Sequence, residues 1–356
     1  MNVLLRFLDL EEGKLDEARN QLQSYMTENP GHVVLESDLE KLMKDGSLPP
    51  LMPGAMDGLA DGFYHIASGI QGQSRELAFF YARLANWLAP DSDQTLILLA
   101  GMLEDRDRFE DANDIYAAME EGSPFKWAVR LQMADNLFSM ERREEAMAAL
   151  KAMVGERPGR TEPLVRLGNI LRYEERYEEA AATYEQAIGR LNPPRPNDWF
   201  LYYYAGMSHE RAKNWDAAEP RFLKALELRP DDPNVLNYLG YSWVEMGRNL
   251  EQAQEMIQRA VKRSRHNGYI VDSLGWVYYK VGKFAEAVTE LERAVQLMPQ
   301  DPVINDHLGD AYWRMGRKRE ARFQWGRASR LDPDEDLAPK IQEKLENGLE
   351  ALTETN

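Results

Sequence analysis

The chain has 356 residues, no cysteine, 44% hydrophobic residues and a formal charge of −17. The missing cysteines exclude a disulfide framework and thiolate chemistry, and no apolar run approaches the ~18 residues that a membrane-spanning helix needs. The acidic balance argues against nucleic acid as a partner, because phosphate binding rests on Lys and Arg neutralising backbone charge.

In chain order, the first element is a hairpin-like unit at 1–30, carrying Gly13, Ala18 and Pro30. The opening Met1 to Asp9 has charges too early for a secretory leader. Its first helix begins part-way into the unit, so the natural N-terminus is expected upstream. Residues 31–58 predict an interrupted repeat or linker, with one short helix at 34–45 before the breaker-rich 47–54. From 59 to 333 the sequence repeats. Ala78, Ala112, Ala146, Ala180, Ala218, Ala253, Ala287 and Ala321 are spaced 34, 34, 34, 38, 35, 34 and 34 residues apart. That period describes eight copies of one helical hairpin, each burying its apolar stripe against its neighbours.

With the alanines at position 20, and to within one residue in the unit of Ala253, glycine recurs at position 8 (Gly168, Gly206, Gly240, Gly275, Gly309) and a large apolar residue at position 11 (Leu171, Trp243, Tyr278, Tyr312). Position 27 is Ala187, Ala225, Ala260, Ala294 or Ala328, and position 32 is proline at Pro90, Pro124, Pro158, Pro230, Pro299 and Pro333. Small residues at 8, 20 and 27 let two antiparallel helices approach, large ones at 4, 7, 11 and 24 fill the space between them, and the proline stops the second helix. The long interval predicts an extended loop at 192–197, and Pro220 predicts a kink in a second helix. Residues 334–356 predict a capping helix over 337–349 followed by a tail, so the fold class is all-α.

These residues resemble the tetratricopeptide repeat (TPR) family: Leu274, Gly275, Tyr278, Gly282, Ala287, Ala294 and Pro299 match its signature, and the match extends over about 59–333. The resemblance implies a right-handed superhelical solenoid of stacked helix hairpins whose concave groove binds a protein or peptide. In such families the groove is lined by positions 2, 5, 9 and 12 of each first helix, a stripe about 100° from the core stripe at 4, 7, 8 and 11. Here that stripe supplies the candidate partner-binding residues Asn169, Arg172, Tyr203, Asn237, Tyr241, Trp276, Tyr279, Asp306, Asp310 and Trp313, with Phe200, Met207, Asn234, Tyr269 and Asp272 beside them. Aromatic anchors beside amides suit peptide recognition, and packing of the rings between neighbouring repeats is the competing reading. The carboxylate clamp of chaperone-binding TPR proteins is absent: Val165 precedes Asn169 where that clamp has lysine, and Tyr204 takes the place of a later asparagine.

Other motifs dissolve on inspection. Gly275 to Lys283 has six residues between its glycines rather than four, and Phe284 stands where a phosphate loop needs Ser or Thr. Gly240-Tyr241-Ser242 starts like a nucleophile elbow, but Val244 replaces the second glycine. No histidine pair has i, i+4 spacing, and His307 with Asp310 reads as a polar surface pair. Asp332, Asp334, Asp336 and Glu343 follow a calcium-loop spacing, but Leu337 fills the position of the sharp-turn glycine, so the segment reads as an acidic helix cap. No catalytic residue, metal or cofactor is expected, and the protein reads as a binding protein rather than an enzyme. Residues 257–333 carry 14 Lys and Arg against 9 Asp and Glu, a local excess that reads either as a solvated face or as a docking patch for an acidic partner.

The C-terminal third, around Leu236 to Ser242, Gly268 to Val277 and Ile304 to Trp313, is similar to the tail of envelope TPR proteins of Gram-negative bacteria. Some of these are adaptors for a periplasmic carboxyl-terminal processing protease. That implies a non-enzymatic adaptor in the cell envelope. The alternative is a cytoplasmic scaffold or co-chaperone, and compartment and oligomeric state stay open at this point.

Overall fold

The computed structural model describes residues 54–349 together with Asn20, Gln23, Ser24, Met43 and Lys44. The expected N-terminal hairpin, most of the 31–58 linker and the tail beyond 349 lie outside the described residues. The described residues form seventeen α-helices and one short 3-10 turn, with no strand among them. The chain divides into two compact units, the first ending at Ile170 and the second beginning at Leu171.

The first unit pairs α1 (Ala55–Ile70) with α2 (Arg75–Leu88), α3 (Asp93–Glu104) with α4 (Phe109–Ala118) and α5 (Lys126–Ser139) with α6 (Arg143–Glu156), and ends within α7 (Glu162–Tyr173). The second unit contains α8 (Tyr177–Gly189), then α9 (Trp199–Arg211) with α10 (Trp215–Leu228) and α11 (Pro233–Glu245) with α12 (Leu250–Arg263). It continues with α13 (Gly268–Lys280) and α14 (Phe284–Leu297), α15 (Pro302–Arg314) and α16 (Lys318–Ala328), and closes on α17 (Leu337–Asn347).

The small residues set the helix spacing. All eight repeat alanines, Ala78 to Ala321, are fully buried. At the crossing of α9 and α10, a Cβ on Gly206 would sit 2.8 Å from the Phe222 ring, and one on Gly240 would sit 2.8 Å from Ile257. The large residue at position 24 therefore packs directly on bare backbone, a contact that any side chain at position 8 would force apart.

From the turn between α3 and α4 onward, the hairpin turns share one backbone. Position 15 is left-handed at Asp107 and Glu141 in the first unit and at Glu175, Lys213, Gly247, Gly282 and Gly316 in the second. The next N–H reaches back to the carbonyl five residues earlier, as Arg176 does to Leu171 and Lys283 to Tyr278, which is the Schellman arrangement that satisfies the end of a helix. Between α11 and α12 the turn holds one extra residue, Asn249, also left-handed at φ 48°. That residue accounts for the 35-residue interval and puts Gly240, not Ala253, in register with the first helix of its hairpin.

Pro220 lies inside a second helix, α10, which runs from Trp215 to Leu228. The carbonyl that loses its donor is that of Asp216 in the first turn, an exposed residue, so the cost of the missing N–H is low. The starts of α11, α13 and α15 are fixed by side-chain caps from Asp232, Asn267 and Asp301. Before α17, the Asp334 carboxylate accepts the N–H groups of Asp336 and Leu337 at 3.1 and 2.7 Å.

A candidate interaction pocket on the first helices of the second unit

The cap at Asp232 sets the phase of α11 and places Asn237 and Tyr241 one turn apart on the same face. They line an open pocket of about 360 Å³. Tyr238 and Ser242 complete the α11 wall, and Tyr269, Asp272 and Ser273 come from α13. Glu210 and Arg211 stand at the end of α9, and Asp301, Val303 and Ile304 at the start of α15. The Tyr238 hydroxyl donates to Glu210 at 2.8 Å. Burial raises the Tyr241 phenol well above its ordinary pKa, and the carboxylates of Glu245 and Asp272 push it further, so it stays a neutral group. The buried Oδ1 of Asn237 has no hydrogen-bond partner among the described residues.

Beyond the pocket, the same stripe is filled from within the chain. Nδ1 of His307 lies 3.0 and 3.1 Å from the two carboxylate oxygens of Asp272. The His307 ring stacks on Trp276 at 3.9 Å, and Trp276 stacks on Tyr279 at 4.8 Å. The Trp276 indole N–H donates to Glu245 at 2.6 Å. Burial alone would lower the His307 pKa, but Asp272, with Asp306 and Asp310 behind it, outweighs burial and raises it.

Lys344 of α17 reaches Asp306 at 2.6 Å and Asp310 at 2.8 Å, and the Trp325 indole N–H donates to Asp310 at 2.9 Å. Burial, then the neighbouring Asp306 charge, pushes the Asp310 carboxyl up to about 6. Burial opposes the charge on Lys344, yet the two carboxylates win and raise its pKa.

The expectation that the whole stripe faces solvent is therefore corrected. Trp276 and Trp313 are 9% and 8% exposed, and Asp306 and Asp310 are each 4% exposed. His307 is no surface partner of Asp310; it is buried against Asp272, 35 residues upstream. The physical reason is stacking between elements: His307 lies on Trp276 and Asp272 of the preceding hairpin, and Lys344 of α17 covers Asp306 and Asp310. Tyr279 is half-buried. Arg172 lies 5.1 Å over the Tyr204 ring, and Tyr203 meets Tyr238 edge-on at 6.0 Å. Asn169 is half-buried in the first unit. Sequence reasoning missed Glu210, Tyr238 and Lys344. Lys344 had a readable signal, since it shares the apolar face of α17 with Ile341 and Leu345.

The local positive charge of 257–333 lies elsewhere. Of its 14 basic residues only Lys280 and Arg314 belong to first helices; the others lie on second helices, turns and loops. Among the described residues no cluster of His, Asp or Glu has the geometry to hold a metal ion, and no helix is long and apolar enough to cross a membrane.

Comparison with known proteins agrees with this architecture. The family described as tetratricopeptide repeat matches residues 131–196, 165–233 and 203–268, and a further TPR repeat matches 275–316, together half of the chain. A TPR repeat-containing protein of Pseudomonas aeruginosa is 28% identical over 177 residues, 49% of this chain but only 29% of that protein's length. Among solved structures, a tetratricopeptide repeat protein of Parabacteroides merdae superposes with a TM-score of 0.55 at 14% identity, covering 71% of this chain and 98% of its own. The Cut9–Hcn1 assembly of the APC/C superposes with a TM-score of 0.56 at 16% identity, covering 94% of this chain and 59% of the other. With its periodic glycines and alanines at the helix crossings and its repeated hairpin turn, the chain belongs to the tetratricopeptide repeat family.

Proposed function

We propose that the protein is a non-enzymatic adaptor that binds a protein or peptide segment on the first-helix face of its second unit, centred on Asn237 and Tyr241. The observation that carries this reading is the open pocket itself. Next to it the same stripe is closed by His307 and Lys344, while the Asn237–Tyr241 interval is left open. Aromatic rings around a half-buried amide give rigid contact area with hydrogen-bonding capacity, the usual composition of binding hot spots. Arg172 and Tyr203 extend the proposed contact stripe within the second unit. Trp276, Tyr279, Asp306, Asp310 and Trp313 serve as its inner support.

Truncating the two aromatic residues separately tests the reading. Tyr241→Ala should leave helix content near wild type while weakening a captured partner by about 2–4 kcal/mol. Trp276→Ala, which empties a buried stack, should instead lower stability by about 3–5 kcal/mol. A folded Tyr241→Ala protein that captures the same partners with the same affinity would remove this pocket from consideration. The similarity of the C-terminal third to envelope TPR proteins further supports a role presenting substrates to a carboxyl-terminal processing protease in the cell envelope. Fractionation of the source cells checks that placement, and recovery in the cytoplasm would favour a scaffold of another assembly.

A further inference from the structure

The stripe that forms the pocket is already occupied twice by basic side chains of the chain itself. In the last hairpin, positions 5 and 9 are Asp306 and Asp310, and they grip the Lys344 ammonium. One hairpin earlier, position 5 is Asp272, and it receives His307. The open pocket is the next interval of this series. Three carboxylates line it, those of Glu210, Asp272 and Asp301, with Arg211 the one cation of the lining; Asp272 is already shared with His307, which leaves Glu210 and Asp301 to meet a further cation. Arg211 already lies 4.0 Å from Glu210, with its side chain 61% exposed at the rim.

We propose that this pocket takes a lysine or arginine side chain of an extended partner peptide, the external counterpart of Lys344; the proposal rests on the peptide-binding reading above. The aliphatic stem lies along the tyrosine rings of the pocket wall and the cation meets their faces and the carboxylates. An acidic peptide meets repulsion here, because the basic residues of 257–333 lie almost wholly off the first helices.

The test is a selection of phage-displayed random linear peptides on the full chain, with the selected peptides then measured against Tyr241→Ala and against Glu210→Gln combined with Asp301→Asn. Asparagine caps a helix as aspartate does, and glutamine keeps an acceptor for Tyr238, so the double variant should melt like wild type. Selected peptides should carry Lys or Arg at one fixed position and lose binding to Tyr241→Ala. Exchanging that residue for norleucine should weaken binding to wild type about tenfold or more, and the double variant should erase most of that difference. Peptides that need Tyr241 but carry no basic residue, or an acidic one, overturn the charge preference and leave the groove reading standing. If no peptide is selected, or if none depends on Tyr241, both are overturned.

Discussion

Replacing Lys344 with methionine keeps most of the side-chain volume and removes one cation from a buried cluster of two carboxylates. Breaking a buried ion pair by deleting one partner costs about 3–5 kcal/mol, and here Asp306 and Asp310 are each 4% exposed. Asp310 already sits at about 6 with Lys344 present, against about 3.9 for an unperturbed aspartate. Its folded pKa is raised, so between roughly pH 4 and 6 the folded state holds a proton that the unfolded state releases. The contribution of this group to stability therefore grows as pH falls through that window. In the variant the Asp310 pKa rises further, and the deficit seen at pH 8 should shrink at pH 5, where Asp310 is neutral and only one charge remains. Hydrogen exchange of the 302–347 segment reads this locally, which suits a repeat array whose parts open separately. Full protection of 337–347 in the variant at pH 8, or a deficit as large at pH 5, would refute the reasoning.

Ala287 is fully buried at a helix crossing, so Ala287→Arg should cost more than about 3 kcal/mol; an unchanged melting curve would show that its contact is not close. At the hairpin turns, Glu175 holds a left-handed backbone at φ 56° while Gly282 takes the same conformation at φ 81°. The left-handed conformation costs a residue with a Cβ about 1–2 kcal/mol, partly offset by the greater unfolded-state entropy of glycine. Glu175→Gly should therefore raise stability by about 1 kcal/mol and Gly282→Ala lower it by a similar amount, and urea midpoints that move in the same direction in both variants would contradict this.

The repeat was legible because it depends on volume: glycine at 168, 206, 240, 275 and 309 and alanine every hairpin leave a mark on composition that no other arrangement requires. The contact stripe was legible only in part. Helical phase correctly put Asn237, Tyr241, Asp306 and Asp310 on one kind of face, but phase says nothing of what covers that face. Asp272 and His307 are 35 residues apart, and Lys344 lies 38 residues beyond Asp306, so each pairing exists only after stacking. Counting from alanine to alanine also hid Asn249, because an insertion in a turn and one in a helix lengthen the interval equally.

That extra residue shows where the repeat absorbs a change in length. Asn249 sits after a left-handed glycine and is itself left-handed, and the helices on either side keep their faces: Gly240 still meets Ile257, and Ala253 is still fully buried. A residue added inside a helix would rotate everything beyond it by about 100° and turn the buried stripe outward. The hairpin turns are thus the hinges of variation in this chain. Tags, epitopes or probes inserted beside Glu141, Lys213 or Gly316 should leave both flanking helices in register, so labels can be placed along the array without disturbing the pocket on its first helices.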